Sequence, residues 1–418
     1  MTNTSERMTG AARPRRRALW AGSLLLIGGL TLSGCAAGVI DDTSAENSTQ
    51  SSSSAESTAE STTESAAADT STTADADGTT AGTIADTAAA AETFLATLSA
   101  EQVDAVTYDY DDETKSTSWS NFPVTFVDRA GLNLTDLTDE QQSAAMAVLE
   151  NLLSEEAYAT AVGIMDGDQY LLDHSSTTEG SLGQYYIAFF GDASDTDAWS
   201  VQFGGHHLGI NADLNGAENA ITFAPTHLGV QPAVYTDADG EEVAPFDGIY
   251  TDAFAFYDSL TAEQQATLTA GDVTMCAPGG TCDYSSGAGL SGADLTDEQR
   301  ELLLELMANW VGMADEETTA AALAEIEATL DETVVAWSGE TVYDMSVGDG
   351  ISFSISGPDV YIALQAQNGS AGADVEGVST SGWGHVHTIY RDPGNDYAGS
   401  VEQGESSMGG GMGGGPGA

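Results

Sequence analysis

Two stretches of the sequence, Leu137-Thr-Asp-Glu-Gln141 and Leu295-Thr-Asp-Glu-Gln299, are identical and lie 158 residues apart. In each stretch a threonine is followed three residues later by a glutamine, with acidic residues between them. This is the pattern of a capping box, in which both side chains satisfy free backbone N–H groups at the start of a helix. Apolar residues follow each box at helical spacing, so both stretches predict amphipathic helices with one buried face.

The similarity extends beyond these two stretches. Leu98-Ser-Ala-Glu-Gln102 returns as Leu260-Thr-Ala-Glu-Gln264 at an offset of 162 residues, and Glu155–Val162 matches Glu316–Leu323 at an offset of 161. Near-constant offsets in the same order indicate an internal duplication.

Each set of predicted helices is followed by stretches rich in Val, Ile, Tyr and Phe. We align Gln184–Gly191 with Ile351–Gly357, and Trp199–Phe203 with Tyr361–Gln365, as strands of antiparallel hairpins. The prediction is therefore an α+β fold, made of two helices-then-antiparallel-strands units that are related by a pseudo-twofold axis.

Residues 1–34 have the features of a bacterial lipoprotein signal peptide. Four arginines between positions 13 and 17 precede an apolar segment, Leu19–Leu32, that is too short to span a bilayer stably. The segment ends in Leu32-Ser-Gly-Cys35, which resembles a lipobox, whose cysteine becomes the lipidated N-terminus. We expect the chain to be anchored to the cell membrane through Cys35, on its extracytoplasmic face. Arg16-Arg17 leaves both the general secretory and the twin-arginine route open.

Composition divides the rest of the chain into further segments. Residues 35–88 follow the anchor and are mostly Ser, Thr, Ala, Asp and Glu. Such a segment cannot bury enough apolar surface to offset its ordering entropy, so we predict a disordered tether with an r.m.s. span of roughly 40 Å. Residues 89–249 and 250–399 are the two predicted halves, and the Gly- and Met-rich residues 400–418 are predicted to be a disordered tail.

The chain is strongly acidic, with 66 acidic and 9 basic residues. Five basic residues and one acidic residue belong to the signal peptide, which leaves 4 basic (9 − 5) and 65 acidic (66 − 1) residues. A surface this acidic excludes nucleic acid as a partner, and it excludes membrane contact other than the lipid anchor. The basic residues that remain are expected to hold a buried carboxylate, backbone carbonyls or an anionic ligand.

Cys276 and Cys282 lie on either side of the turn-forming Pro278-Gly-Gly280. Because an exported chain meets an oxidising compartment, a local disulfide is the expected use of these two cysteines. A metal site would need further soft ligands, and none is adjacent in the sequence.

Four of the six histidines occur as two pairs, each after a predicted strand. His385 and His387 are two apart on a strand and share a face, so they can bind one ion together. His206 and His207 are adjacent and would point in opposite directions unless Gly204-Gly205 forms a turn or bulge. A pseudo-twofold axis would bring the pairs together as a site for zinc or copper, which suit imidazole ligands. The alternative is that these histidines form hydrogen bonds in the core.

Two sequence blocks resemble the domain of unknown function 3500 family: Trp199-x-x-x-x-Gly-Gly-His206-His207-Leu with Asn211, and His385-x-His387-Thr-x-x-Arg391-Asp392-Pro-x-Asn395-Asp396-Tyr397. Trp119-x-x-x-Pro123 and Arg129-x-Gly131 are also similar to the family, and the resemblance covers residues 90–399. It implies one fold unit with a candidate site at the histidines, and no particular reaction. His227 stands where the family resemblance leads us to expect an aromatic residue, which weakens its case as a shared ligand.

Three functions are compatible with these residues. In the first, the chain is a metal-dependent enzyme or metal-binding protein of the cell envelope. Asp392 or Asp396 would then orient an imidazole or act as a base, and Arg391 would hold an anionic substrate.

In the second, the chain is a non-catalytic module that binds a small polar ligand or an envelope partner, with Trp199, Trp383 and Tyr390 as stacking surfaces. In the third, the histidines only fasten the two halves together. The motifs of serine hydrolases, zinc proteases and phosphate-binding loops are absent from the sequence, so the reaction class stays open.

Overall fold

The structure is a computed structural model that describes residues 78–176, 180–269, 273–280, 282–369 and 372–403. All of these residues fall within one compact unit. The predicted signal peptide, the lipidation site Cys35 and most of the predicted tether lie outside the described residues, as do residues 404–418.

Within these ranges the chain forms eight α-helices, four in each half. They are α1 (Thr80–Thr97), α2 (Ala100–Val106), α3 (Asp139–Leu152), α4 (Glu155–His174), α5 (Asp247–Ser259), α6 (Ala262–Gln265), α7 (Asp297–Val311) and α8 (Glu316–Ala328). None of these helices is long and apolar enough to cross a membrane.

The described residues also form fourteen strands. They are β1 (Thr107–Tyr108), β2 (Leu132–Asn133), β3 (Tyr186–Phe190), β4 (Ala198–Gly204), β5 (Leu208–Asn215), β6 (Ala220–Thr222), β7 (Thr226–Val230), β8 (Tyr235–Thr236), β9 (Glu242–Val243), β10 (Leu290–Ser291), β11 (Val334–Gly339), β12 (Ile351–Ser356), β13 (Tyr361–Gln367) and β14 (Gly382–Arg391). The α+β class predicted from the sequence is confirmed.

Twelve of these strands form one mixed sheet. Its order is β1-β3-β4-β5-β7-β14-β13-β12-β11-β10, with β2 also paired to β3 and β6 to β5. The pairing of β1 with β3 is parallel, and β7 and β14 meet in the middle as an antiparallel pair with Leu228 opposite Thr388. Strands before β7 therefore lie on one side of the sheet, and strands after β9 lie on the other.

The predicted capping boxes are present at α3 and α7. The Thr138 side chain accepts from the N–H of Gln141, and the Gln141 side chain accepts from the N–H of Thr138. Thr296 and Gln299 make the same two hydrogen bonds at the start of α7.

Each box glutamine also joins two helices. Gln141 Nε2 donates to Thr97 O at the end of α1, at 3.0 Å, and to Gln102 Oε1 in α2, at 3.3 Å. Gln299 Nε2 donates to Ser259 O at the end of α5, at 2.9 Å, and to Gln264 Oε1 in α6. The repeated sequence therefore fixes a helix junction as well as a helix start.

The topology changes the expected correspondence of strands. β2 precedes α3 and pairs with β3, whereas β10 precedes α7 and pairs with β11. By chain order and pairing, β3 corresponds to β11, β4 to β12 and β5 to β13. The alignment of Gln184–Gly191 with Ile351–Gly357 is therefore wrong by one strand, because β11 was not predicted. The alignment of Trp199–Phe203 with Tyr361–Gln365 is wrong by one strand for the same reason.

Three predicted boundaries also need correction. α1 begins at Thr80 and buries Ile84 and Ala88, so the tether does not extend to residue 88. A helix rich in alanine and threonine has the composition of a linker, although its small residues pack closely against α3. The boundary at 249/250 falls inside α5, and Gln403 accepts from Arg391 Nη2 at 2.9 Å, so the folded part extends beyond residue 399.

The two faces of β14 meet different layers. Thr388 accepts a hydrogen bond from Trp310 of α7 at 2.8 Å, so Val386, Thr388 and Tyr390 face the helices. Ile389 packs with Trp119 and Tyr397, which lie in loops on the opposite face. His385 and His387 share the face of Ile389, so the histidine pair lies under the loop layer and not under the helices.

Replacement of Gln299 by alanine should lower the free energy of unfolding by about 2 kcal/mol, because it removes one cap bond and leaves Ser259 O without its donor. Urea unfolding followed by tryptophan fluorescence measures this change. Glu298→Ala, at the neighbouring exposed position, is the control and should change stability by less than about 0.5 kcal/mol. If both substitutions lower the free energy of unfolding equally, the glutamine junction contributes nothing to stability.

Candidate metal centre

Five histidines meet near the middle of the sheet. His206 and His207 lie in the turn between β4 and β5, His227 lies on β7, and His385 and His387 lie on β14. Neighbouring rings have centroids 4.3 to 5.6 Å apart. None of these residues is more than 8% exposed. The sheet therefore brings both predicted histidine pairs into one buried cluster.

The turn that carries His206 and His207 depends on two glycines. A Cβ on Gly204 would overlap Leu208 O, and a Cβ on Gly205 would overlap Gln184 O. Only glycine fits at this close approach, and the tight turn stacks the two adjacent imidazoles with an interplanar angle of 18°. The turn expected at Gly204-Gly205 is the feature that lets adjacent histidines point to one site.

His385 and His387 share a face of β14, as their spacing predicts. The two Nε2 atoms are 3.0 Å apart. Both rings face the cavity beneath the loop layer.

Three of the histidines could hold a metal ion. One ring nitrogen from each of His206, His207 and His387 lies within 4.8 Å of the other two. An ion with bonds of about 2.0–2.1 Å to imidazole nitrogen would hold tetrahedral ligand atoms about 3.3 Å apart, so its binding would draw the three atoms closer together. His385 lies beside this triad, through its contact with His387.

A carboxylate orients one member of the triad. Asp168 Oδ1 lies 2.6 Å from His207 Nδ1, and the hydroxyl of Tyr185 donates to Asp168 Oδ2 at 2.8 Å. With Nδ1–H donated to the carboxylate, His207 Nε2 presents a lone pair to the cluster, and this buried atom has no hydrogen-bond partner. A histidine that binds a metal usually donates its other ring N–H to a carboxylate in this way, which fixes its tautomer and orientation.

The sequence analysis did not predict Asp168. It lies on the buried stripe of α4 together with Ala161, Ile164 and Leu171. The spacing of these residues is that of the apolar face of a helix. An aspartate in such a stripe is a signal of a buried partner, and it was available from the sequence.

Burial keeps the imidazoles neutral. It lowers the pKa of His206 to about 2 and the pKa values of His207 and His385 to about 3, and it holds the pKa of His387 well below the usual value. All four rings therefore offer lone pairs at neutral pH, and a metal ion would not compete with protons for them. Burial raises the pKa of Asp168 to about 7, and a cation at the cluster would favour its ionised form.

His227 has a different part in the cluster. Its Nδ1 lies 2.7 Å from Thr388 O and its Nε2 lies 3.1 Å from His206 O. Its ring stacks on His387 with an interplanar angle of 10°. Because both ring nitrogens face backbone carbonyl oxygens, His227 links the turn to β14 and is not placed as a ligand.

The predicted catalytic residues have contacts away from the histidines. Arg391 Nη2 lies 2.7 Å from Asp396 Oδ2, and the guanidinium also donates to Cys276 O. Asp392 accepts from the backbone N–H groups of residues 394 and 395. Arg391 lies four residues beyond His387, about 13 Å along the strand, with Ile389 between them. The carboxylate in contact with an imidazole is Asp168, and not Asp392 or Asp396.

Residues 80–399 match the family model "Protein of unknown function (DUF3500)". The chain belongs to this family. The match begins at the first residue of α1 and includes every histidine of the cluster. No curated protein and no solved structure matches the chain.

In this DUF3500 chain a cavity of about 570 Å³ lies over the histidines. His206, His385 and His387 line it on one side, and Phe122, Phe126 and Met275 line it on another. The predicted disulfide between Cys276 and Cys282 is present in the loop beside it.

Trp199, Trp383 and Tyr390, which were predicted to stack on a ligand, are at most 4% exposed and belong to the main core instead.

Arg129 holds the loop layer against the histidine turn. Its guanidinium donates to Gly205 O at 2.8 Å, and to Ser120 O and Phe122 O at 2.7 Å. This confirms the expectation that scarce arginines bind carbonyl groups.

Asp168→Asn should weaken the binding of Zn²⁺ by about 10- to 100-fold, because the amide no longer fixes the His207 tautomer or offsets the charge of the ion. Competition with a chromophoric chelator measures the dissociation constant. Asp166→Asn is the matched control, since Asp166 is exposed on the same helix. An unchanged affinity in Asp168→Asn would show that Asp168 does not support a metal-bound His207.

Proposed function

We propose that this chain is a transition-metal protein whose ion is bound by His206, His207 and His387. The observation that carries the proposal is the buried triad of ring nitrogens within 4.8 Å of one another, backed by Asp168. Imidazole ligands favour zinc or copper over magnesium or calcium, which prefer oxygen.

A purely structural role accounts less well for the cluster. Each buried polar atom without a partner costs about 1–3 kcal/mol, and two such atoms here are His207 Nε2 and His385 Nδ1. Apolar side chains of similar volume would join the halves of the sheet without that cost. An ion at the cluster would give His207 Nε2 its missing partner.

The position of the cavity favours an enzyme. Two of the three residues that would hold the ion, His206 and His387, line the cavity. Three protein ligands beside a cavity are typical of catalytic metal sites, and a bound ion would supply Lewis-acid chemistry there. His385 lies on the cavity side and is neutral, so it is placed to accept a hydrogen bond from a bound molecule. A non-catalytic module that binds a small ligand in the same cavity is the second candidate, supported by the amide side chains in the cavity wall.

We also propose that the chain works outside the cytoplasm as a lipoprotein anchored through Cys35. The Leu32-Ser-Gly-Cys35 motif supports this placement. The disulfide between Cys276 and Cys282 supports it as well, because such bonds persist in oxidising compartments.

An internal duplication with a pseudo-twofold relation remains our proposal for the origin of the fold. The matched capping boxes, the matched glutamine junctions and the parallel roles of β2 and β10 support it. The histidines depart from the symmetry, since the β4–β5 turn carries two and β14 carries the other pair. The proposed metal centre therefore lies between the halves without repeating in each.

The test is metal content and uptake by the mature chain, purified without a histidine tag. We expect about one equivalent of zinc or copper by elemental analysis, and about one equivalent on titration of the stripped protein. His207→Ala and His387→Ala should each lower the affinity at least about 100-fold. His174→Ala, in the exposed end of α4, should change nothing. No bound metal and no uptake on titration would end the proposal.

A further inference from the structure

We propose that the cavity over the histidines binds an uncharged, hydroxyl-rich ligand of the saccharide class. This inference rests on the proposed function, because it names what would meet the metal centre. Its support comes from the cavity wall and not from the metal ligands.

The described residues of the cavity wall carry no charged side chain. The chain has 66 acidic residues, yet the described residues that line this cavity include no Asp, Glu, Lys or Arg. A cationic ligand would therefore meet no carboxylate among these described lining residues. An anionic ligand would meet no guanidinium, since Arg129 is engaged by carbonyl groups and Arg391 by Asp396. Away from the proposed metal centre, the described residues of the wall are therefore suited to an uncharged molecule.

The polar groups of the cavity wall include several side-chain amides. Four side-chain amides line the cavity: Asn121, Gln365, Gln367 and Asn368. Each amide offers both donors and an acceptor, which matches a hydroxyl group that donates and accepts. Asn121 Oδ1 is buried without a hydrogen-bond partner, and the bond from Gln367 Nε2 to Gln365 Oε1 is long, at 3.3 Å. These amides therefore keep capacity for a ligand.

Two phenylalanine side chains, Phe122 and Phe126, also line the cavity. Phe126 is 51% exposed, and Phe122 lines the same wall. An exposed phenyl ring beside a polar cavity gives an apolar face on which the C–H face of a sugar ring can pack. The cavity volume of about 570 Å³ lies within the usual range for small-ligand sites.

A peptide is the competing uncharged ligand, and the structure favours it less. Peptides commonly bind by adding a strand to a free sheet edge. Here Gln365 lies on β13, which pairs through it with Ser352 of β12 and with His387 of β14. No strand edge is free at this point of the wall.

The experiment uses isothermal titration calorimetry on the mature chain, both zinc-loaded and metal-stripped. The probes are the neutral tetrasaccharides cellotetraose, chitotetraose and mannotetraose, with anionic tetragalacturonate, cationic glucosamine tetramer and tetra-alanine amide for comparison. At least one neutral saccharide should bind about tenfold or more tighter than the charged probes and the peptide. Absence of binding by all three neutral saccharides, or tighter binding of a charged probe or of the peptide, would overturn the inference.

Variants locate the site. Phe126→Ala and Gln365→Leu should each weaken the bound saccharide about tenfold, and Val342→Ala, at another apolar position that is 68% exposed, should not. Saccharide binding that both cavity variants leave unchanged would also overturn the inference. Because Phe126 is exposed and is not a proposed ligand, Phe126→Ala should retain its full metal stoichiometry. If the chain binds a saccharide but takes up no metal, only the proposed function fails. If it takes up metal but binds no saccharide, only this inference fails.

Discussion

The antiparallel pairing of β7 with β14 is the interaction on which the rest of the structure depends. It joins the strands of the first half to those of the second, with Leu228 opposite Thr388. It also sets His227 beside His387, and the N–H of Gly229 on β7 donates to His207 O at 2.6 Å. One strand pair therefore unites the sheet and assembles the histidines, so the candidate site exists only where both halves are in place.

The two faces of the sheet are covered by different layers. Helices cover one face with a continuous apolar core, whereas loops from both halves cover the other face and enclose the cavity. The buried cations serve this loop layer: Lys115 pairs with Asp213 at 3.1 Å, and Arg129 ties the loop at residue 120 to the histidine turn. Arg129 and Arg391 hold irregular backbone in place, because a guanidinium can satisfy several carbonyl groups at once. Arg300 lies on α7 and pairs with the exposed Asp331 instead.

Local rules predicted the parts of this molecule that depend on short spacing. The capping boxes, the shared face of His385 and His387, the Gly204-Gly205 turn and the local disulfide all follow from residues a few positions apart. The start of α1 was missed because alanine and threonine in a packed helix have the composition of a linker. The apolar stripe of α4 marks Asp168 as buried, but its partner His207 could not be predicted because tertiary packing sets that contact. Asp168 and His207 are 39 positions apart in the sequence, and no local pattern indicates their contact.

Among the described strands, β14 is the last to be synthesised, and yet it occupies the middle of the sheet. Until residues 382–391 are available, β7 has an unpaired edge in a chain whose first half is otherwise complete. Exposed strand edges favour aggregation and recognition by proteases. The contact between Lys115 and Ser400 spans 285 positions and likewise forms only when the whole domain is present. A prematurely terminated chain therefore lacks the closing strand, the two histidines that it carries, and the protection of its own central edge.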